Sequence, residues 1–361
     1  LWLVLLCGLV LRLPVEAATK PAQQKSLLAF NGKLVFSPDG KYLAIGDRGV
    51  ILWNIRNRKE AGRFNPQFSC SEFDFFSGRP EIVLGCTNGF MPLFLQNWNY
   101  ESGKFLSGPY WLAFPQPSEM GPPAEYFPNP FFSEYSRLRY SPNGESLLTN
   151  WGYDLKEFRP DIHVLKKEFS LPEGLNDFAL DKHNRVITLS VDAIRWWNLK
   201  NYELEDMLPR SRKTQFHPGL RLAVSADGNL AGELQKTSKW LQVWELSSRR
   251  VLWREDHVES FDLSPDGRHV VLSYEQEKNR IETGPDSTEL TRVVCFELPF
   301  GKKKWELELK NLPRAPFIRF SPIDQLVALG VPKDVLLLET ATGKLVGRFS
   351  KQVANFKWTH S

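Results

Sequence analysis

The sequence predicts an all-β fold, a β-propeller most simply of seven four-stranded blades, and three observations lead there. One type of tight turn, Ser-Pro-Asp-Gly at its clearest, returns seven times along the chain. The returns are spaced near forty residues apart, and each lies between short apolar runs of strand length. Periods of roughly 40 to 45 residues with four strands per unit are the signature of propeller blades.

The plan is most legible over residues 34–64. Leu34 to Phe36 is a short strand, and Ser37-Pro38-Asp39-Gly40 turns the chain, proline presetting φ and glycine supplying a conformation other residues resist. Tyr42 to Ile45 returns, Asp47-Arg48-Gly49 turns again, Val50 to Ile55 runs forward through Trp53-Asn54, and Glu60 to Phe64 is the fourth strand. The punctuation recurs at Phe76-Ser77-Gly78-Arg79, Ser141-Pro142-Asn143-Gly144, Asp181-Lys182-His183-Asn184, Ser225-Ala226-Asp227-Gly228, Ser264-Pro265-Asp266-Gly267 and Ser321-Pro322-Ile323-Asp324. Counted from Ser37, the intervals of 40, 64, 40, 44, 39 and 57 give one base period with two insertions. The third strands also end alike, in Trp53-Asn54, Trp197-Asn198, Trp244-Glu245, Phe296-Glu297 and Leu338-Glu339.

On these residues the chain resembles the WD-repeat (WD40-like) propellers, as a divergent secreted member, across nearly everything after residue 25. The resemblance implies the fold and is nearly silent on activity. No unit closes in Trp-Asp, and the Gly-His pair that opens many such repeats is missing, with Asp256-His257 the nearest relic. Asp47 and Asp192 stand where the family keeps a turn aspartate that braces the blade. A two-sheet sandwich also has many short strands, but it does not account for seven returns of one motif.

Repeat folds run long as single units, so the 361 residues read as one domain. Twelve tryptophans suit packing between blades, and a net charge of +4 is too small to imply nucleic acid. Lys302-Lys303-Lys304 and Arg210 to Lys213 read as solvated turns. Leu1 to Leu11 is apolar, too short to span a bilayer and right for the core of an export signal, with Val15-Glu16-Ala17 offering a cleavage site. The expected division is a signal over 1–17, a linker over 18–25 and the propeller over 26–361. The expected location is secreted or periplasmic, with no integral membrane segment once the signal is removed. Leu6 before Cys7 argues against a lipid anchor. Ser26 to Phe30 resembles a fourth strand able to complete the last blade. The missing initiating methionine and Val353 to Trp358, which resembles a new first strand, read as a fragment and leave an eighth blade or further domain open.

Cys70 and Cys86 flank the second unit's turn symmetrically, which places them opposite or nearly opposite in a hairpin. A disulfide and a pair of buried thiols both satisfy that placement. Cys295, inside a third strand, reads as core.

Function is expected at the insertions, 109–134, 151–161 and 275–291. In a four-stranded meander the second-to-third turns and the connections between blades emerge at one end of the ring, and all three insertions map there. The first is aromatic and proline-rich. Tyr110, Trp111, Phe114, Tyr126 and Phe127 are its candidate binding residues, either as a rigid lip or as a plug that buries its own rings. The last is polar and reads as a surface loop; Asp154, Glu157 and Asp161 read as a solvated acidic group. No nucleophile motif, phosphate loop or metal spacing is present, and His163, His183, His217, His257, His269 and His360 fall in different places with no pair at ligand spacing. The expectation is an exported, non-catalytic scaffold without catalytic, metal or cofactor residues, binding an unidentified protein partner. The alternative is a propeller enzyme of hydrolase, lactonase or quinone-dependent dehydrogenase type with its site at the channel mouth.

Overall fold

Inner strands three to seven residues long, each followed by a turn of one chemistry, set the geometry of the ring. In the computed structural model the described residues are 33–87, 94–111, 137–151, 154–160, 165–170, 174–210, 220–274, 277–278, 289–310, 312, 315–323, 325–332 and 334–350. They form seven four-stranded antiparallel blades in a ring, without helices. The stretches expected as signal and linker, 1–17 and 18–25, Ser26 to Phe30 and Val353 to Trp358 lie outside them.

Blades one and two share a continuous sheet, because Lys59–Phe75 is both the fourth strand of one and the inner strand of the other. Tyr42–Asn54 likewise carries two strands in one run: Leu43 pairs with Phe36, and Val50 with Phe64. The remaining inner strands are Leu138–Tyr140, Asp177–Leu180, Leu220–Val224, Val258–Leu263 and Phe317–Phe320. Leu345–Ser350 is the fourth strand of blade seven.

The recurrent turn works by one mechanism. In blade one Ser37 Oγ donates to Asp39 Oδ1 at 2.6 Å and accepts from Tyr42 N at 2.9 Å, while Asp39 Oδ1 accepts from Lys41 N at 3.0 Å. Ser225 with Asp227 and Ser264 with Asp266 repeat it, and blade three substitutes Asn143 for the aspartate. Gly40 N closes the turn onto Ser37 O at 2.8 Å with φ at 68°, a left-handed conformation that favours glycine.

The third-strand ends lie opposite bulges in the fourth strands. Register slips by one residue immediately before Trp53, Trp197, Trp244, Phe296 and Leu338, and also before Trp98, so Trp98-Asn99 supplies the motif in blade two. The extra residue lies on the fourth strand, between Gly62 and Glu60 in blade one and between Gly347 and Leu345 in blade seven, and bends that strand as it leaves the turn.

Apolar side chains collect in seven clusters, one between each pair of neighbouring blades. The cluster of Phe36, Leu43 and Ile45 with Val335, Leu337 and Phe349 joins blade one to blade seven and closes the ring. Cys295 is buried at the junction of blades six and seven, and burial pushes its thiol up to about 12. Cys70 and Cys86 face each other directly in blade two, their sulfurs bonded at 2.09 Å.

Three boundaries differ from the sequence reading. The fourth strand of blade two, Lys104–Trp111, pairs Tyr110 with Leu95 and Trp111 with Phe94, so the insertion starts at residue 112 instead of 109. The stretch 151–161 is no long loop: Trp151 pairs with Asp154 across a tight hairpin, and Asp154–Phe158 is the third strand of blade three. Its charges disguised the strand, but Leu155, Glu157 and Phe158 are all buried. In blade six Glu277 and Lys278 pair with Leu290 and Glu289, so the polar insertion begins and ends as strand.

Candidate functional site

Each inner strand begins at the insertion-bearing end and runs to its Ser-Pro-Asp-Gly turn. The N–H that closes this turn belongs to Ser37, Phe76, Ser141, Asp181, Ser225, Ser264 and Ser321 in the successive blades. Counting back from it aligns the channel wall. Four positions earlier, blades one to five carry Lys33, Glu72, Arg137, Asp177 and Arg221, alternating in sign. Two positions earlier, Asp74 and Arg139 occupy blades two and three, and Asp262 and Arg319 occupy blades six and seven. Ala179 and Ala223 stand between these pairs.

The inner strand is the free edge of each blade, and its outward N–H groups need acceptors. The acids supply them across the junctions by a fixed rule. From the upper layer, Glu72 accepts from Leu138 N at 3.0 Å and Asp177 from Leu222 N at 2.8 Å, each in the following blade. From the lower layer, Asp74 accepts from Tyr140 N at 2.9 Å and Asp262 from Phe320 N at 2.8 Å.

Cations complete the lattice. Lys33 Nζ pairs with Glu72 at 2.6 Å and donates to Leu138 O at 3.3 Å, touching three consecutive blades with one side chain. Arg137 pairs with Asp177 at 2.6 Å, and Arg319 with Asp262 at 3.4 Å while reaching Leu34 O across the ring closure. Arg139 Nη1 donates to Leu138 O at 2.8 Å. The carboxylates lie deeper than their partners in two of these pairs: Asp177 is 1% exposed against 14% for Arg137, and Asp262 7% against 31% for Arg319.

These groups share one low-dielectric space. Burial lowers Lys33 to about 7, with Arg139 adding to the shift and Glu72 opposing it. Burial brings Arg137 down to about 9; Asp177 opposes, and Arg139, Arg221 and Arg319 reinforce. Burial raises Asp262 against the pull of Arg319, and Arg137, three blades away, is also felt there.

Of the residues expected to bind, Tyr110 and Trp111 lie on the fourth strand of blade two, and Phe114, Tyr126 and Phe127 lie outside the described residues. Two charged groups were misread as solvated. Glu157 is buried, accepting from Ser146 Oγ and pairing with Lys166 at 2.8 Å. Arg210 is also buried; it pairs with Glu233 of blade five and donates to Ser190 O and Val191 O of blade four at 2.9 and 3.0 Å. Asp192 braces its hairpin through Arg195. Lys302, Lys303 and Lys304 are exposed, as expected, but they open the fourth strand of blade six, Lys302–Lys310, instead of forming a turn. Among the described residues no three His, Cys, Asp or Glu are grouped to hold a metal ion, and no helix is long and apolar enough to cross a membrane.

No protein-family model matches the chain, and no curated protein matches it. Among solved structures it is similar to "KlHsv2 with loop 6CD replaced by a Gly-Ser linker", with a TM-score of 0.59 and 10% identity, covering 87% of this chain and 97% of that one. At that identity the likeness speaks for architecture alone: the chain is a seven-bladed β-propeller.

Proposed function

We propose that this chain is an exported, WD-like propeller that acts as a non-catalytic scaffold, binding a protein partner through the end of the ring that carries its long connections. The observation that carries the reading is the asymmetry of the two ends. At one end all seven blades turn from first to second strand through short connections, most of one chemistry. From the other leave the connections 112–136, 211–219 and 279–288. Conserving one end as framework and elaborating the other is how rigid scaffolds present binding surface. The bonded Cys70 and Cys86 favour an oxidising compartment, where such a staple persists. The channel carboxylates accept from backbone N–H groups, and three also pair with cations, an arrangement suited to holding blades together.

The test is proximity labelling in the exported compartment with the wild-type chain and a variant in which Tyr110, Trp111, Phe114, Tyr126 and Phe127 are all serine. The expected result is a partner set lost in the variant, whose thermal unfolding is unchanged. An unchanged partner set would contradict the reading. A folded wild type beside an unfolded variant would assign these rings to a structural plug.

A further inference from the structure

We propose that the channel is a binding site for a small multivalent oxyanion of the phosphate class, held by Arg139 together with Arg319, Arg137 and Lys33. The site is independent of the partner surface at the elaborated end.

The first argument is charge balance. Over its two layers the described wall carries five cations, Lys33, Arg137, Arg139, Arg221 and Arg319, against Glu72, Asp74, Asp177 and Asp262. Sign alternates from blade to blade, and with an odd number of blades the alternation cannot close. Arg319 of blade seven therefore neighbours blade one, whose only charged wall residue is Lys33, also a cation.

The second argument is what the acids are occupied with. Each accepts a backbone N–H from the following blade, and Asp177 and Asp262 are turned into the wall while Arg137 and Arg319 stay more accessible. Each guanidinium has five donors, so its ion pair leaves others for an anion on the accessible side.

The third is Arg139 itself. Its hydrogen bond to Leu138 O uses one of a guanidinium's five donors, and among the described residues no carboxylate pairs with it. The next two blades place the short Ala179 and Ala223 at its level. A planar fork with free donors, amid other cations in a partly dry enclosure, matches the paired oxygens of phosphate better than a single charge would. Lys33 and Arg137 are lowered first by burial, and the neighbouring arginines add a like-charge repulsion that a bound anion relieves.

The experiment is calorimetric titration of inorganic tripolyphosphate into the folded wild type at low salt, with citrate as a second arm. Saturable one-to-one binding that weakens with salt is expected, and Arg139→Gln should weaken it about tenfold or more, the worth of a charge-assisted hydrogen bond. Arg139→Lys should retain part of the affinity. Arg254→Gln, on an exposed outer strand, should leave it unchanged. If Arg139→Gln does not fold, Arg319→Gln decides by the same criterion. No binding at millimolar tripolyphosphate, binding of citrate alone, or equal effects of the channel and outer-strand variants would each overturn the proposal.

Discussion

Arg210 shows how one buried charge couples two blades. Its guanidinium lies between the Glu233 carboxylate of blade five and two carbonyls of blade four, and Glu233, pushed up by burial and pulled back by Arg210, is 0% exposed. Arg210→Met would leave that carboxylate buried without its cation. Removing one partner of such a pair costs about 3–5 kcal/mol, so urea unfolding should show a loss of that size. Arg210→Met with Glu233→Leu should recover most of it, because the uncompensated charge is then gone. At this scale the sequence was hardest to read. Arg210 sits in a run of basic residues and Glu157 in a charged stretch, and composition marks both as solvated; only the fold reveals that Glu157 meets Lys166 within blade three and Arg210 meets Glu233 across the junction of blades four and five. The channel residues were missed differently. Their fixed distance before each turn is visible in the sequence, but the apolar content of the strands masks the charges within them.

The unit that the sequence does spell out is the turn. Ser-Pro-Asp-Gly specifies hydroxyl, carboxylate and left-handed glycine in the order its hydrogen bonds need them, and for that reason its period revealed the ring. The third-strand end opposite the bulge is half legible: five aromatic or apolar ends stand out, whereas Trp98-Asn99 follows an irregular strand. The turn aspartates also carry a pH dependence. Burial opposes charge on Asp39 and Asp227, but the hydroxyls of Ser37 and Ser225 and the backbone N–H donors outweigh it and hold both carboxyls below the ordinary 3.8. The folded chain thus keeps these charges at a pH where the unfolded chain has begun to protonate. The stability they contribute is present above 3.8 and is lost as pH falls through the folded value. Replacing both with asparagine, as blade three already does at Asn143, should lower stability modestly at pH 7 and flatten the acid limb of the stability profile. An unaltered acid limb would rule out this source.

At the scale of the whole molecule, closure is shared between apolar and polar parts. Seven apolar clusters fill the junctions, and the channel carboxylates fasten inner strands at three of them, from blade two to three, four to five and six to seven. The disulfide adds a constraint within blade two. Its two cysteines are 16 residues apart in sequence, and closing a loop of that size in the unfolded chain is worth about 3 kcal/mol, so reduction should lower the denaturant midpoint accordingly without opening the ring. Fold class was legible at this scale because repetition amplifies a weak local signal seven times. Which residues face the channel was not, since that depends on how neighbouring blades align.

The most direct test of the channel lattice is native-state amide exchange at Leu138, Tyr140, Leu222 and Phe320, the four donors to carboxylates of a preceding blade. Slow exchange is expected at all four in the wild type, with Asp177→Ala accelerating Leu222, and Asp262→Ala accelerating Phe320, while the other pair stays protected. Rapid exchange of these amides in the wild type, or protection unaffected by loss of the matching carboxylate, would contradict the account.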